Sequence, residues 1–302
     1  MSSEAPFFPT ELACLCKMQS FGSCRVRILL CVILINVLFF NVFSIYQLSH
    51  SKTNWARIHG PFYALAFFPR SCKELRLPDK PLTRTALVGF PGSGTTWLRY
   101  LIQQATGLMT GSMQVDSHLK SSFPGEGINN SSMLVVRTRD YRREHIASWE
   151  KAVILLRNPY DSILIEYYRR VMTTPIIGEK LLAKLKRGWQ RYVRKQPLAW
   201  FRLNLEWLQH FQGALFVIHY EKLKAKPVEE MKRLFHFLGQ HVTDHDLNCM
   251  LKNSYNYLKM KPRVTNVTSH FSRSLQAEIN RYRARLYRVL SDARNKKKWT
   301  RP

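Results

Sequence analysis

The sequence predicts a three-layer α/β domain of the phosphate-loop type with a mainly parallel sheet, preceded by one transmembrane helix. Three observations predict it. Short apolar runs alternate with segments of helical spacing, a glycine-rich loop joins the first run to its helix, and a long uncharged stretch lies near the N-terminus.

Taken in chain order, the uncharged stretch comes first. Between Ile28 and Ser51 there is no Lys, Arg, Asp or Glu, and Ile28 to Leu48 is aliphatic and aromatic apart from Asn36, Asn41, Ser44 and Gln47. As a helix it would measure about 30 Å, enough to span a bilayer. A cleaved signal peptide is the competing reading. Its apolar core would be shorter, and no clean small-residue cleavage site follows. The division expected is a cytoplasmic tail at 1–27, a signal-anchor at 28–48, a luminal stem at 49–82 and a folded domain at 83–302. Lys17, Arg25 and Arg27 before the span, against Lys52 and Arg57 after it, only slightly favour a cytoplasmic N-terminus. Sequons at Asn129, Asn130 and Asn266 all follow the span and predict glycosylation. Of six cysteines, only Cys72 and Cys249 lie beyond it, and an even pair in an oxidising lumen suggests one disulfide.

Within the domain, Thr85 to Phe90 reads as a buried strand. After the loop, Trp97, Leu98, Leu101, Ile102 and Ala105 recur at helical spacing, with Gly107 placed to end the helix. Met133 to Val136 and Ala152 to Leu156 are further continuous apolar runs, as expected of parallel strands covered on both faces, and a helix follows the second at Ser162 to Met172. Leu181 to Gln212 reads as helices broken near Pro197. Leu215 to Ile218 is a fourth strand, and Pro227 opens a helix over Val228 to Leu238.

Composition narrows the function. At 302 residues and 45% hydrophobic, the chain is not disordered. Its 47 Lys and Arg against 20 Asp and Glu give a net charge of +27, nearly all of it after the apolar stretch. Such a balance suits anionic partners. Nucleic acid would explain the charge but not the loop, and is not the expected partner.

The loop Gly89-Phe90-Pro91-Gly92-Ser93-Gly94-Thr95-Thr96 has the Gly-x4-Gly-x-Thr frame of a nucleotide phosphate loop. Glycines let successive amides turn toward one anion at the positive end of a helix, and hydroxyls of Ser93, Thr95 and Thr96 can add donors. Thr95 stands where nucleotide hydrolases place a lysine, and no strand ends in a magnesium-holding aspartate. ATP hydrolysis is therefore not expected, and neither is a metal.

The run from Gly89 to Trp97 resembles the 5'-phosphosulfate loop of the sulfotransferases, whose core is Pro-x-Ser-Gly-Thr-Thr-Trp. Val153 to Ser162, containing Arg157-Asn158-Pro159, is similar to the family's second nucleotide element, and His219 to Pro227 to its Tyr-Glu-Asp-Leu segment. Ser254 to Lys259 looks like its adenine-side loop. Within the family the chain most resembles the WSC-domain-containing, sialate O-sulfotransferase-like members, over roughly Thr83 to Lys261. The cysteine-rich WSC modules themselves are missing.

The resemblance implies a Golgi, single-pass type II membrane enzyme with a luminal sulfotransferase domain. It would move a sulfonate from PAPS (3'-phosphoadenylyl sulfate) to a hydroxyl of a glycan, sialic acid being the named candidate. It implies donor binding by Gly92, Ser93, Gly94, Thr95, Thr96, Trp97, Arg157, Ser162, Tyr220 and Tyr255. Two departures bear on catalysis. Gly92 replaces a loop lysine, making Arg99 and Arg137 candidate substitutes, and Arg137-Thr138-Arg139 replaces a Lys-Thr-His run that supplies a base. Asp140 and His145 are then the catalytic candidates, with Glu144, His118 and Glu126 behind them. The alternative is a catalytically degenerate protein of this fold that binds nucleotide or acidic glycan. Ile165 stands where cytosolic relatives carry a phosphate-binding serine, and Ser162 is the candidate in its place.

Overall fold

The structure is a computed structural model that describes residues 72–172, 188–259 and 266–295, with the isolated Asn36; at 172, 255–259 and 293–295 it describes the backbone alone. The expected tail at 1–27, the span at 28–48 apart from Asn36, and the stem up to residue 71 lie outside the described residues. Among the described residues, no helix is long and apolar enough to cross a membrane.

Five parallel strands form one sheet in the order β2-β3-β1-β4-β5, where β1 is Thr85–Val88, β2 Gly111–Ser112, β3 Val136–Thr138, β4 Lys151–Leu156 and β5 Ala214–His219. Because side chains alternate along a strand, Ala86 and Val88 enter one apolar layer with Ile154, Trp200 and Trp207, while Leu87 enters the other with Leu101, Leu155, Phe216 and Leu234. Burial on both faces is the reason these strands lack polar alternation. The three layers expected from the sequence follow.

The helices whose bounds are described are α1 Thr95–Thr106, α2 Arg143–Ala147, α3 Pro159–Met172, α4 Gln196–His210, α5 Tyr220–Ala225, α6 Pro227–Leu238, α7 Asp244–Lys259 and α8 Arg273–Asn295, and 188–193 is helical as well. Gly107 ends α1 in the left-handed conformation, donating its N–H to the Gln103 carbonyl. Pro197 sits in the first turn of α4, where its missing N–H costs nothing.

Two expectations need correcting. The second run is paired not at Met133 to Val136 but at Val136–Thr138, so two polar residues join the ladder. Ser254 to Lys259, expected as a loop, continues α7 as helix. The long α8 has no counterpart among the elements expected from the sequence, because arginines interrupt its buried stripe of Ile279, Leu286 and Leu290.

Cys72 and Cys249 are bonded, with Cα atoms 5.9 Å apart. The bridge fastens the segment ahead of β1 onto α7. Gln104 of α1 joins the same place, accepting from the Cys72 amide at 3.0 Å and from Asn253 at 2.7 Å. All strands run the same way, so the segments after β1, β3, β4 and β5 gather at one rim, where ligands of such sheets bind.

Candidate functional site

At the rim, the chain leaves β1 through Gly89 and turns into α1. Gly92 and Gly94 have φ of 83° and 100°, which L side chains rarely adopt. Gly94 is the N-cap residue of α1, no side chain caps that end, and its first turn carries no acidic residue. The first helical bond there runs from the Leu98 amide to the Gly94 carbonyl, 3.0 Å. Amides of the turn before it therefore present donors and a positive helix end to an anion. Ser93 is turned inward, its hydroxyl and amide both donating to the Phe90 carbonyl. Thr95 is nearly buried and Thr96 half-buried.

Beside the loop, Arg157 follows β4 and Tyr220 opens α5 after β5. The Arg157 guanidinium donates to the Gly92 carbonyl at 3.0 Å and lies 3.9 Å over the Tyr220 ring. That ring packs edge-on to Trp97 at 5.4 Å and so closely on Gly94 that a Cβ there would approach it to 2.8 Å. Burial pushes the Tyr220 phenol above its ordinary pKa, with Arg157 opposing. Trp97 is wholly buried and donates to Ser254 Oγ at 3.3 Å, so it shapes the loop from beneath. The Ser162 hydroxyl is also buried, donating to the Asn158 carbonyl at 3.1 Å. Tyr255 lies on α7, but its side chain is outside the described residues.

A lysine at position 92 cannot be accommodated by this backbone. A Cβ on Gly92 would lie 2.2 Å from the Ser162 carbonyl and 3.2 Å from the Glu166 amide nitrogen. The proposed substitutes correct the sequence reading. Arg99 points into the core, fully buried, and spends its donors on Glu126 at 2.6 Å and on the Thr110 hydroxyl and carbonyl at 3.0 Å each. Glu126 takes Arg137 on its other oxygen at 2.6 Å. Buried, with both carboxylate oxygens already accepting hydrogen bonds, Glu126 has no oxygen left for a substrate proton, which removes it from that list. Arg137 keeps one unpaired donor, its buried Nε.

The catalytic candidates lie after β3. Hydrogen bonds from Arg142 hold Asp140 down to a pKa of about 2, making it a poor proton acceptor. His145 Nε2 accepts from Trp149 Nε1 at 3.3 Å and lies 3.2 Å from the Thr138 hydroxyl; its proton is thereby assigned to Nδ1, which faces Asp140 at 4.0 Å. Burial lowers the His145 pKa, and Arg142 and Arg84 lower it further against Asp140. That lowering favours the neutral ring, whose lone pair is already engaged. Glu144 and His118 are exposed. The sequons at Asn129, Asn130 and Asn266 are exposed as well. Among the described residues, no cluster of His, Cys, Asp and Glu could hold a metal ion.

One group went unread in the sequence. Glu166, 1% exposed on α3, receives Arg169 at 2.8 and 2.9 Å and Arg170 at 2.8 Å. Burial works to raise its pKa, but these pairs lower it, with Arg139 adding to them. Its spacing of three and four residues from two arginines on a predicted helix was the available signal.

The sequence matches the sulfotransferase domain family over residues 82–285. It is 34% identical to a WSCD family member of Drosophila melanogaster over 68% of this chain and 66% of that protein, slightly under two thirds of its length. It is also 34% identical to one of Aedes aegypti, over 70% of this chain and 67% of the other. A solved mouse sulfotransferase complexed with PAP superposes at a TM-score of 0.47 and 16% identity, covering 78% of this chain and 94% of its own, too distant to bear on the site. The chain belongs to the sulfotransferase family, as a WSCD-like member.

Proposed function

We propose that this sulfotransferase uses PAPS and transfers its sulfonate to a glycan hydroxyl, with sialic acid a candidate acceptor, from the luminal side of a Golgi membrane. The single observation that carries the donor site is the uncapped start of α1, with Arg157 fixed beside it by Gly92 and Tyr220. The amides of Gly94 to Thr96 bind the 5'-phosphosulfate, Arg157 grips the 3'-phosphate through its planar fork, and Tyr220 and Tyr255 border the base. The donor, when bound, supplies the sulfonate and a phosphate leaving group. Donors already aimed at that phosphate need no reorganisation as its charge grows. The Cys72–Cys249 bond supports an oxidising compartment, and residues 28–48 provide the membrane anchor.

The test is PAP binding by calorimetry to the full chain in detergent, paired with radiolabelled PAPS and a panel of glycans. Arg157→Ala is expected to weaken PAP about 10- to 100-fold, the usual cost of losing a hydrogen-bonded charge pair. Unchanged affinity would defeat the site. PAP binding without incorporation into any glycan would favour the binding protein over the enzyme.

A further inference from the structure

Glu126 and Arg99 close one charged box, but the neighbouring one is left open at Arg139. This residue follows β3 directly, one position beyond the paired Val88 and Thr138, and so emerges beside Gly89 where the loop begins. It is half-buried and within electrostatic reach of Arg137, Glu166, Arg169 and Arg170. Both oxygens of Glu166 are already taken by Arg169 and Arg170. Arg139 makes no hydrogen bond or ion pair among the described residues, and Arg137 holds a buried Nε with no acceptor. Burial lowers the Arg139 pKa, and its arginine neighbours lower it further. Counted together, five guanidiniums at positions 99, 137, 139, 169 and 170 meet three carboxylates at 116, 126 and 166. The region lacks negative charge, and an unpaired half-buried guanidinium is costly until an acceptor arrives.

The phosphosulfate of the donor has its own partners in the loop amides. The α3 backbone at Glu166 packs against Gly92, where a Cβ would lie 3.2 Å from the Glu166 amide nitrogen, so the helix that carries Glu166, Arg169 and Arg170 borders the loop. We propose that Arg139, backed by Arg137 and Arg169, holds a carboxylate of the acceptor glycan beside the hydroxyl that receives the sulfonate. This rests on the sulfonate-transfer reading and makes Arg139 a binding and specificity residue. A guanidinium cannot serve as the base that relatives place here, but its fork matches a carboxylate with two parallel hydrogen bonds.

The experiment measures binding of sialylated and uronic-acid oligosaccharides, each beside its methyl ester, to the full chain saturated with PAP. At least one free acid should bind the native protein about 10- to 100-fold more tightly than its ester, a difference set by one charge-assisted pair. Arg139→Gln should erase that preference while leaving PAP affinity and the thermal midpoint in place, and Arg139→Lys should recover part of it. Equal binding of acid and ester by the native protein would overturn the proposal without any variant having to fold. So would an Arg139→Gln protein that keeps the preference, or one that loses PAP affinity alone. An acid bound through Arg139 but never sulfonated would sink the transfer reading and leave the clamp standing.

Discussion

Two buried glutamates, Glu126 and Glu166, each hold two arginines, yet the two regions are built to different ends. Around Glu126 both arginines are themselves almost fully buried, at 0% and 3% side-chain exposure, and Thr110 takes further donors of Arg99. Around Glu166 the arginines reach solvent, at 36% and 52%, and Arg139 stands by without a partner of its own among the described residues. A closed network fixes the connection between α1, the 110–126 segment and β3. An open one keeps positive charge at the rim, next to the loop.

The largest expected effect tests this contrast. Glu126→Gln leaves two guanidiniums buried with no carboxylate and should cost about 3–5 kcal/mol of stability. Glu166→Gln should cost roughly 1 kcal/mol, because Arg169 and Arg170 can turn back to water. Denaturant unfolding of the two variants measures the difference. Equal losses would mean that the second box is as structural as the first.

A smaller effect joins the open box to the loop. Gly92 packs against the α3 backbone at Ser162 and Glu166, and its φ is 83°. Gly92→Lys, which restores the residue many relatives carry, should therefore weaken PAP by at least about tenfold instead of strengthening it, since the left-handed backbone alone costs about 1–2 kcal/mol. Tighter PAP binding in this variant would show that the backbone shifts readily and that the two regions are not coupled through Gly92.

Much of the rim around the loop was legible because its signals are local. The glycines of the loop, the arginine after β4 and the tyrosine after β5 sit within short strings, and the structure brings them together. β1, β4 and β5 were legible for a related reason, being apolar on both faces. β3 starts three residues later than expected and ends two later because apolarity follows burial: Met133 to Val135 are buried ahead of the ladder, whereas Arg137 and Thr138 are paired within it. The charged boxes were not legible in the same way. Glu126 meets partners from positions 99, 116 and 137, and nothing local distinguishes it from a solvated glutamate. Arg99 was misread as a candidate for the site for the same reason, its helical position saying nothing of which layer it enters.

The smallest effect lies just past β3, at His145. Its folded pKa is lowered below the ordinary 6.5, chiefly by burial, so the unfolded chain binds its proton more readily than the folded one. Stability should thus be full above pH 6.5 and decline as pH falls through it, until the folded ring also protonates. Asp140 contributes with the same sign at lower pH: its pairing stabilises above the unfolded value of 3.8 and is lost toward the folded value of about 2. His145→Gln should flatten the upper decline alone, seen as a thermal midpoint that no longer falls just below pH 6.5. If transfer activity in that variant holds while the midpoint changes in this way, His145 pins the end of β3 through Thr138 and Trp149. A selective loss of turnover with an unaltered midpoint profile would instead make the ring the proton acceptor, and would place catalysis at the end of β3 alongside the proposed acceptor site.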